Sequence, residues 1–275
     1  MSDGRRTIRS IGFAAPGEVA IYEYEEGPLV DGRFRVETLY SGFSAGTELT
    51  FLRGTNPYLH GRWDAEYGVF REGEPSQRLP LRVVGYMEVG RVTESRAAHI
   101  PVGQVVATTY GHRTGHIVAP AERFFLPLPD DLDPLLGIYV AQMGPICANG
   151  ILHAAADLLG PNVTALGDGV RGRHVLVVGG GVVGLLVALF AKLHGAAVLI
   201  AEQIPERLDA IRALGLEPLD VRDAAAWEVC KSRWRHGPGD RGADVAFQCS
   251  GVGAGLQAAL KALRPQGTAI DMAFY

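Results

Sequence analysis

Gly179-Gly180-Gly181-Val182-Val183-Gly184 keeps the spacing G-x-G-x-x-G. In a chain of 275 residues with 36 glycines the hexapeptide alone says little. Its setting says more: an apolar β-branched run, HVLVV from His174, leads into it, and an apolar helical pattern leads out. Glycines there let the backbone turn tightly and approach a diphosphate, while the start of the following helix offers free N–H groups and a positive dipole end. The next apolar run, AVLIAE, ends in Glu202, eighteen residues after Gly184. A carboxylate at that place can accept both hydroxyls of an adenosine ribose and repels a 2′-phosphate, which favours NAD(H) over NADP(H). Arg207, five residues on, is a charge able to offset it. Gly179, Gly181, Val182, Val183, Gly184, Glu202 and Arg207 are therefore the candidate cofactor-binding residues. Two other readings share this local pattern: a tight turn in a non-binding domain, and a methyltransferase that holds S-adenosylmethionine.

The elements that must position this loop follow a strand–helix alternation from His174 onward: HVLVVG, VVGLLVALFAKLHG, AVLIAE, IPERLDAIRALG, ADVAFQCSG, VGAGLQAALKALRPQG and TAIDMAFY. That order predicts a parallel sheet with helices on its faces. Residues 1 to about 130 read differently, as short runs such as EVAIYEYEE, RFRVETLYS and LRVVGYMEVGRVTE between Gly, Pro and Asp, the pattern of a β-barrel or sandwich. This β-rich half argues against the methyltransferase. A charged stretch from Asn56 to Pro80, carrying Tyr58, Trp63, Tyr67 and Phe70, reads as a long loop, a cap over a bulky polar substrate or an interface. FLPLPDDLDPLL marks the boundary, with Asp133-Pro134 as a helix start and a long apolar helix to about Leu159, broken at Pro145. The expected domains are 1–132 and 133–275.

YSGFSAGTE, VVGYMEVGRV, the glycine loop, AEQIPERLDAIRALG and ADVAFQCSG together resemble the medium-chain dehydrogenase/reductase superfamily, the zinc-type alcohol dehydrogenase-like proteins, over essentially the whole chain. SGFSAGTE with the Gly-Tyr pair is most similar to the branch containing bacteriochlorophyllide dehydrogenases. The resemblance implies an α/β fold class: a GroES-like β-barrel domain plus a Rossmann doubly wound parallel sheet, the active site in the cleft between them. It also implies a C-terminal part missing after Tyr275, which leaves a last strand unpaired and a homodimer in question. Zinc-dependent relatives place ligands where this chain has Ser44, Tyr86 and Gln142 to Gly144, and none of these is a good zinc ligand. The expectation is a zinc-free member with no metal site. Glu88 and the pair His112/His116 are the remaining, poorly placed candidates, the histidines reading as solvent-facing or hydrogen-bonded loop residues.

The resemblance places Ser44, Thr47, Glu48 and Tyr86 around the vacated metal position as the catalytic candidates. A Tyr86 hydroxyl can give a proton to a carbonyl oxygen, Ser44 and Thr47 can hydrogen-bond substrate, and Glu48 can orient Tyr86 or Thr47 or act as a base. Packing of Tyr86 as an ordinary strand residue, and Glu48 as a structural loop acid, are the alternatives. The same resemblance puts Ser250 and Gly251 near the adenosine ribose and Ala273 and Phe274 near the nicotinamide. The expected activity is a zinc-independent, NAD(H)-linked interconversion of an alcohol and a carbonyl. An NADPH-dependent quinone or enoyl reductase and a non-catalytic dinucleotide sensor are the rivals. Net charge of −4 argues against nucleic acid as a partner, and a small-molecule substrate is expected. Val175–Ala191, interrupted by glycines and shorter than a membrane span, reads as strand plus helix. Three scattered cysteines and no signal peptide suggest a cytoplasmic protein.

Overall fold

A computed structural model describes residues 4–273. The chain divides into two units, one ending at Met143 and the other beginning at Gly144.

In the first unit, β1 (Arg6–Ala15) and β2 (Glu18–Glu26) form a hairpin. Then come β3 (Phe34–Ser41), α1 (Glu48–Arg53), a second hairpin of β4 (Gly61–Asp64) and β5 (Val69–Glu72), β6 (Glu88–Ser95), β7 (Val105–Thr108), β8 (Gly115–Val118) and β9 (Phe125–Pro127). Five of these make an antiparallel sheet in the order β8-β3-β6-β7-β9. Alternation sends Phe34, Val36, Val92, Val106 and Val118 into one core and Val89, Ala107 and Leu128 into another. The second core is closed by Ala141, with Ile138 and Val140 packed on it. That packing explains why the first unit runs past the 132/133 boundary the sequence suggested: the 3₁₀ turn Pro134–Tyr139 belongs to the sheet, not to the next unit. The stretch from Asn56 to Pro80 is more ordered than a loop. The β4–β5 hairpin brings Phe70 to 4.8 Å from Tyr58 and 5.2 Å from Trp63, ring centre to centre.

The helix α2 (Met143–Leu159) leads into the second unit. The expected break does not fall at Pro145, which sits in the first turn of α2, where a missing N–H costs no intrahelical bond. After it come β10 (His174–Val178), α3 (Val182–Leu193), β11 (Ala197–Glu202), α4 (Pro205–Ala213), β12 (Glu217–Asp220), α5 (Ala226–Arg233), β13 (Arg235–Gly237), β14 (Asp240–Arg241), β15 (Ala243–Gln248), α6 (Gly253–Ala262) and β16 (Leu263–Asp271). The sheet order is β12-β11-β10-β15-β16, every pair parallel. The order reverses direction between β10 and β15, the kind of switch point where open α/β sheets bind ligands. One face is covered by α2 and α3 through Cys147, Ile151, Val187 and Ala191, the other by α5 and α6 through Ala226, Cys230, Ala259 and Ala262. The last helix ends earlier than its sequence pattern suggested. Pro265 forces the residue before it toward extended backbone, so β16 begins at Leu263 and bulges before rejoining β15 at Thr268. Val175–Ala191 is a buried strand and helix, and among the described residues no helix is long and apolar enough to cross a membrane.

Candidate functional site

The glycine loop joins the C-terminal end of β10 to the first turn of α3, and each glycine meets a different demand. Gly179 has φ +103°, a region that L side chains rarely adopt. A Cβ at Gly184 would lie 1.9 Å from the Gly179 carbonyl oxygen, so α3 can pack against the loop only with hydrogen there. At Gly181 a Cβ would meet none of the described residues within 4 Å, and Val182 and Val183 there present N–H groups without intrahelical partners.

Glu202, at the end of β11, is 6% exposed and turned onto this loop. Its Oε2 accepts the Gly180 N–H at 2.8 Å and Arg207 Nη1 at 3.3 Å; its Oε1 accepts the N–H groups of Gln203 at 2.7 Å and Ile204 at 3.0 Å. Burial alone would raise its pKa, but these N–H donors and the guanidinium outweigh burial and hold the carboxyl below the usual range. The sequence reading gave Glu202 a ribose to hold; the structure adds a role that spacing could not reveal, as a cap on the glycine loop. Ser250 and Gly251 follow β15, the neighbour of β10, and Ser250 Oγ donates to Gln248 Oε1 at 3.1 Å. The Ser250 backbone lies against Gly179, where a Cβ would approach its nitrogen to 3.1 Å. Ala273 follows β16, its N–H bonded to Asp271 Oδ1 at 3.1 Å, and Phe274 lies outside the described residues.

In the first unit, Ser44, Thr47 and Glu48 share one turn at the start of α1. Glu48 is 2% exposed, and its Oε1 accepts the Ser44 N–H at 2.8 Å. Its Oε2 accepts His112 Nε2 at 2.6 Å, so the acid orients neither Tyr86 nor Thr47; a buried imidazole has claimed it. Tyr86 is half-buried, and among the described residues its hydroxyl has no hydrogen-bond partner. His112 is buried rather than solvent-facing, with Phe43 stacked over it at 5.9 Å. Its Nδ1 contacts Ser41 Oγ, and Ser41 Oγ donates to Glu88 Oε1 at 3.2 Å. Glu88 is fully buried, which raises its pKa. His116 faces elsewhere, against Tyr110, and burial with the charges of Arg113, Arg123 and Arg6 lowers its pKa to about 4. Ser41 was not foreseen, since a serine at a strand end carries no distinguishing pattern. Glu88 entered the sequence analysis only as a poorly placed metal-ligand candidate.

The positions that bear zinc ligands by resemblance carry hydroxyls in Ser44 and Tyr86, which do not make a zinc donor set. Among the described residues the one cluster of three metal-capable side chains is in the other unit: His174, His236 and Asp244. Arg264 already fills it, with Nη1 2.7 Å from Asp244 Oδ1 and 3.2 Å from His236 Nδ1. That guanidinium already places a positive charge beside Asp244 and His236, which opposes a second cation there.

The profile of the zinc-binding dehydrogenase family matches residues 182–274. The D-guloside 3-dehydrogenases of Shigella flexneri and Escherichia coli K12 are each 25% identical, over 97% of this chain and 74% of theirs. Among solved structures, the alcohol dehydrogenase of Thermus sp. ATN1 superposes with a TM-score of 0.72 at 21% identity, covering 97% of this chain and 77% of that one. A chain from Sinorhizobium meliloti 1021, assigned as a zinc-binding dehydrogenase and solved with NADP, superposes with a TM-score of 0.69 at 18% identity, covering 98% and 77%. With the glycine loop at the switch point of a parallel sheet, these matches make the chain similar to zinc-type, alcohol dehydrogenase-like proteins, the profile over residues 182–274 and the curated relatives over nearly all of it, and they support an NAD(P)-linked oxidoreductase; the solved structures share its fold.

Proposed function

We propose that this chain interconverts a secondary alcohol and its carbonyl without a catalytic zinc, using NAD(H) in preference to NADP(H). The observation that carries the metal-free reading is the pair of hydroxyls, Ser44 and Tyr86, where relatives hold a metal by thiolate and imidazole. The dinucleotide supplies or takes the hydride when bound. The chain must then supply the proton and hold the carbonyl oxygen. The Tyr86 hydroxyl, free of other partners among the described residues, donates that proton during reduction and regains it during oxidation. Ser44 and Thr47 hydrogen-bond the developing alkoxide.

Glu202 supports the cofactor preference. Its negative charge, kept ionised by four donors, opposes a 2′-phosphate, and Arg207 is already spent on the same carboxylate. For the substrate we take a polyhydroxylated compound, a glycoside or polyol, because similar proteins are named D-guloside 3-dehydrogenase and sorbitol dehydrogenase. The test is hydride exchange with NADH and NADPH against a panel of glycosides, polyols, simple ketones and enones, before and after exhaustive chelation. Turnover of polyols that survives chelation and falls in Tyr86→Phe supports the proposal. Loss on chelation with recovery by added zinc overturns the metal-free reading. Turnover of enones alone points to the reductase rival, and binding without exchange to a sensor.

A further inference from the structure

The reading above leaves His112 unused, although it joins the two pieces of chain that carry Ser44, Thr47 and Tyr86. Toward the first, its Nε2 bonds Glu48, whose other oxygen holds the Ser44 N–H. Toward the second, its ring lies flat on Gly85, the residue before Tyr86: a Cβ at Gly85 would fall 2.9 Å from three atoms of the imidazole. Its own N–H also bonds Val84 O at 2.7 Å. Both contacts depend on a side chain that is flat, buried and able to donate at Nε2.

Hydrogen-bond accounting fixes the proton count. Nε2 faces a carboxylate oxygen and must donate. With the one Ser41 hydroxyl proton directed at Glu88 Oε1, Ser41 Oγ is left to accept from Nδ1. An imidazole that donates from both nitrogens is an imidazolium. The groups facing it are Glu48 from α1, Ser41 from β3, Glu88 from β6 at 3.9 Å, the Phe43 ring and the Gly85 backbone. Glu88 Oε2 has no hydrogen-bond partner among the described residues, and Glu48 is the carboxylate in direct contact with the ring.

We infer that His112 is a positioning residue for the reaction: as an imidazolium it ties the Ser44–Thr47 turn to the Tyr86 segment through a charge-assisted bond to Glu48, and losing its proton weakens that bond. This rests on the proposal that those three hydroxyls surround the substrate. The direction of titration agrees. Burial lowers the pKa of His112, but the Glu48 hydrogen bond and charge, with the Glu88 charge, raise it above the ordinary histidine value overall. A raised folded value means that the lock is complete below the unfolded pKa of about 6.5 and is lost as pH rises through the folded one.

Two measurements decide it. In His112→Gln the amide can still donate to Glu48 but cannot titrate. We expect kcat to fall about 10- to 100-fold with dinucleotide affinity unchanged, and the alkaline limb of the wild-type kcat profile to vanish. A variant with wild-type kcat, or one that keeps the alkaline limb, overturns the inference. The second needs neither turnover nor a variant: nitrogen NMR of His112 in the wild-type protein, with the Tyr86 resonance followed through the same titration. An imidazolium at neutral pH whose deprotonation shifts Tyr86 supports the lock. A neutral ring at that pH, or a Tyr86 signal that ignores the titration, refutes it even if no substrate is found. Absence of turnover with an intact NMR response would instead sink the proposed activity and leave the lock standing.

Discussion

Gly181 and Gly184 stand three residues apart in one loop, yet replacing them with alanine should separate binding from stability. At Gly184 the added methyl would lie 1.9 Å from Gly179 O and 3.0 Å from Gly179 C, both backbone atoms, and 3.2 Å from Val177 Cγ1. Neither the strand end nor the helix can yield locally, so α3 must withdraw by about 1 Å. Overpacking of this kind costs about 1–3 kcal/mol, which for a protein of this size lowers Tm by roughly 4–8 °C at the middle of that range. At Gly181 the backbone is extended, φ −79° and ψ −173°, and a methyl meets none of the described residues within 4 Å. Gly181→Ala should therefore keep Tm, or raise it through a stiffer unfolded chain, by about 0.4–1 kcal/mol. The same methyl intrudes on the space through which a diphosphate approaches, so NADH affinity should fall about ten-fold or more, about 1.4 kcal/mol. Scanning fluorimetry and titration calorimetry on both variants make the assay. If Gly181→Ala binds NADH as tightly as wild type, the diphosphate is not held at this loop. If Gly184→Ala melts with the wild type, the close packing assigned to it is wrong.

The Glu202 carboxyl is held below its usual range, so the stability it lends is complete above about pH 4.3 and lost as pH falls through the lowered value. Glu202→Gln should flatten that acid-side decline in a Tm-versus-pH series, and an unchanged slope counts against the cap. Arg264→Met strips the charged partner from Asp244, whose side chain is only 15% exposed and keeps the His174 N–H, and should cost about 1–3 kcal/mol in chemical denaturation while NADH affinity stays the same. Reduced affinity there would mean that this cluster, at the opposite ends of the strands, communicates with the loop. Burial pushes the thiols of Cys147 and Cys230 up to about 12 and that of Cys249 up as well, so iodoacetamide at neutral pH should label none of the three until the protein is unfolded. Labelling of native protein, read by intact mass, would contradict that.

Sequence periodicity revealed the centre of the second unit, because β10, β11 and β15 are buried on both faces and read as near-continuous apolar runs, as in HVLVV followed by the apolar helix VVGLLVALFAKL. The ends of elements were less legible. Pro145 reads in the sequence as a helix break and is a first-turn residue, since a missing N–H near a helix start looks the same in sequence as one in its middle. The span of the first unit was hidden because Ile138 and Val140 are apolar whichever unit they serve. In the candidate site, the loop glycines were readable from local chain geometry alone. The pairing of Glu48 with His112 was not, because it joins residues 64 apart through a register no local pattern encodes.

The four donors on Glu202 bear on how this lineage could exchange one coenzyme for another. Trading the acid for a small or basic residue, the obvious step toward a phosphorylated sugar, would also strand the Gly180 N–H and the first amides of the following turn. The gain at one atom would be offset by disorder in the loop that grips the rest of the molecule. Evolution or engineering therefore needs a paired change, in which a second acceptor takes over those amides before or together with the loss of the carboxylate; single-step routes should be epistatically closed.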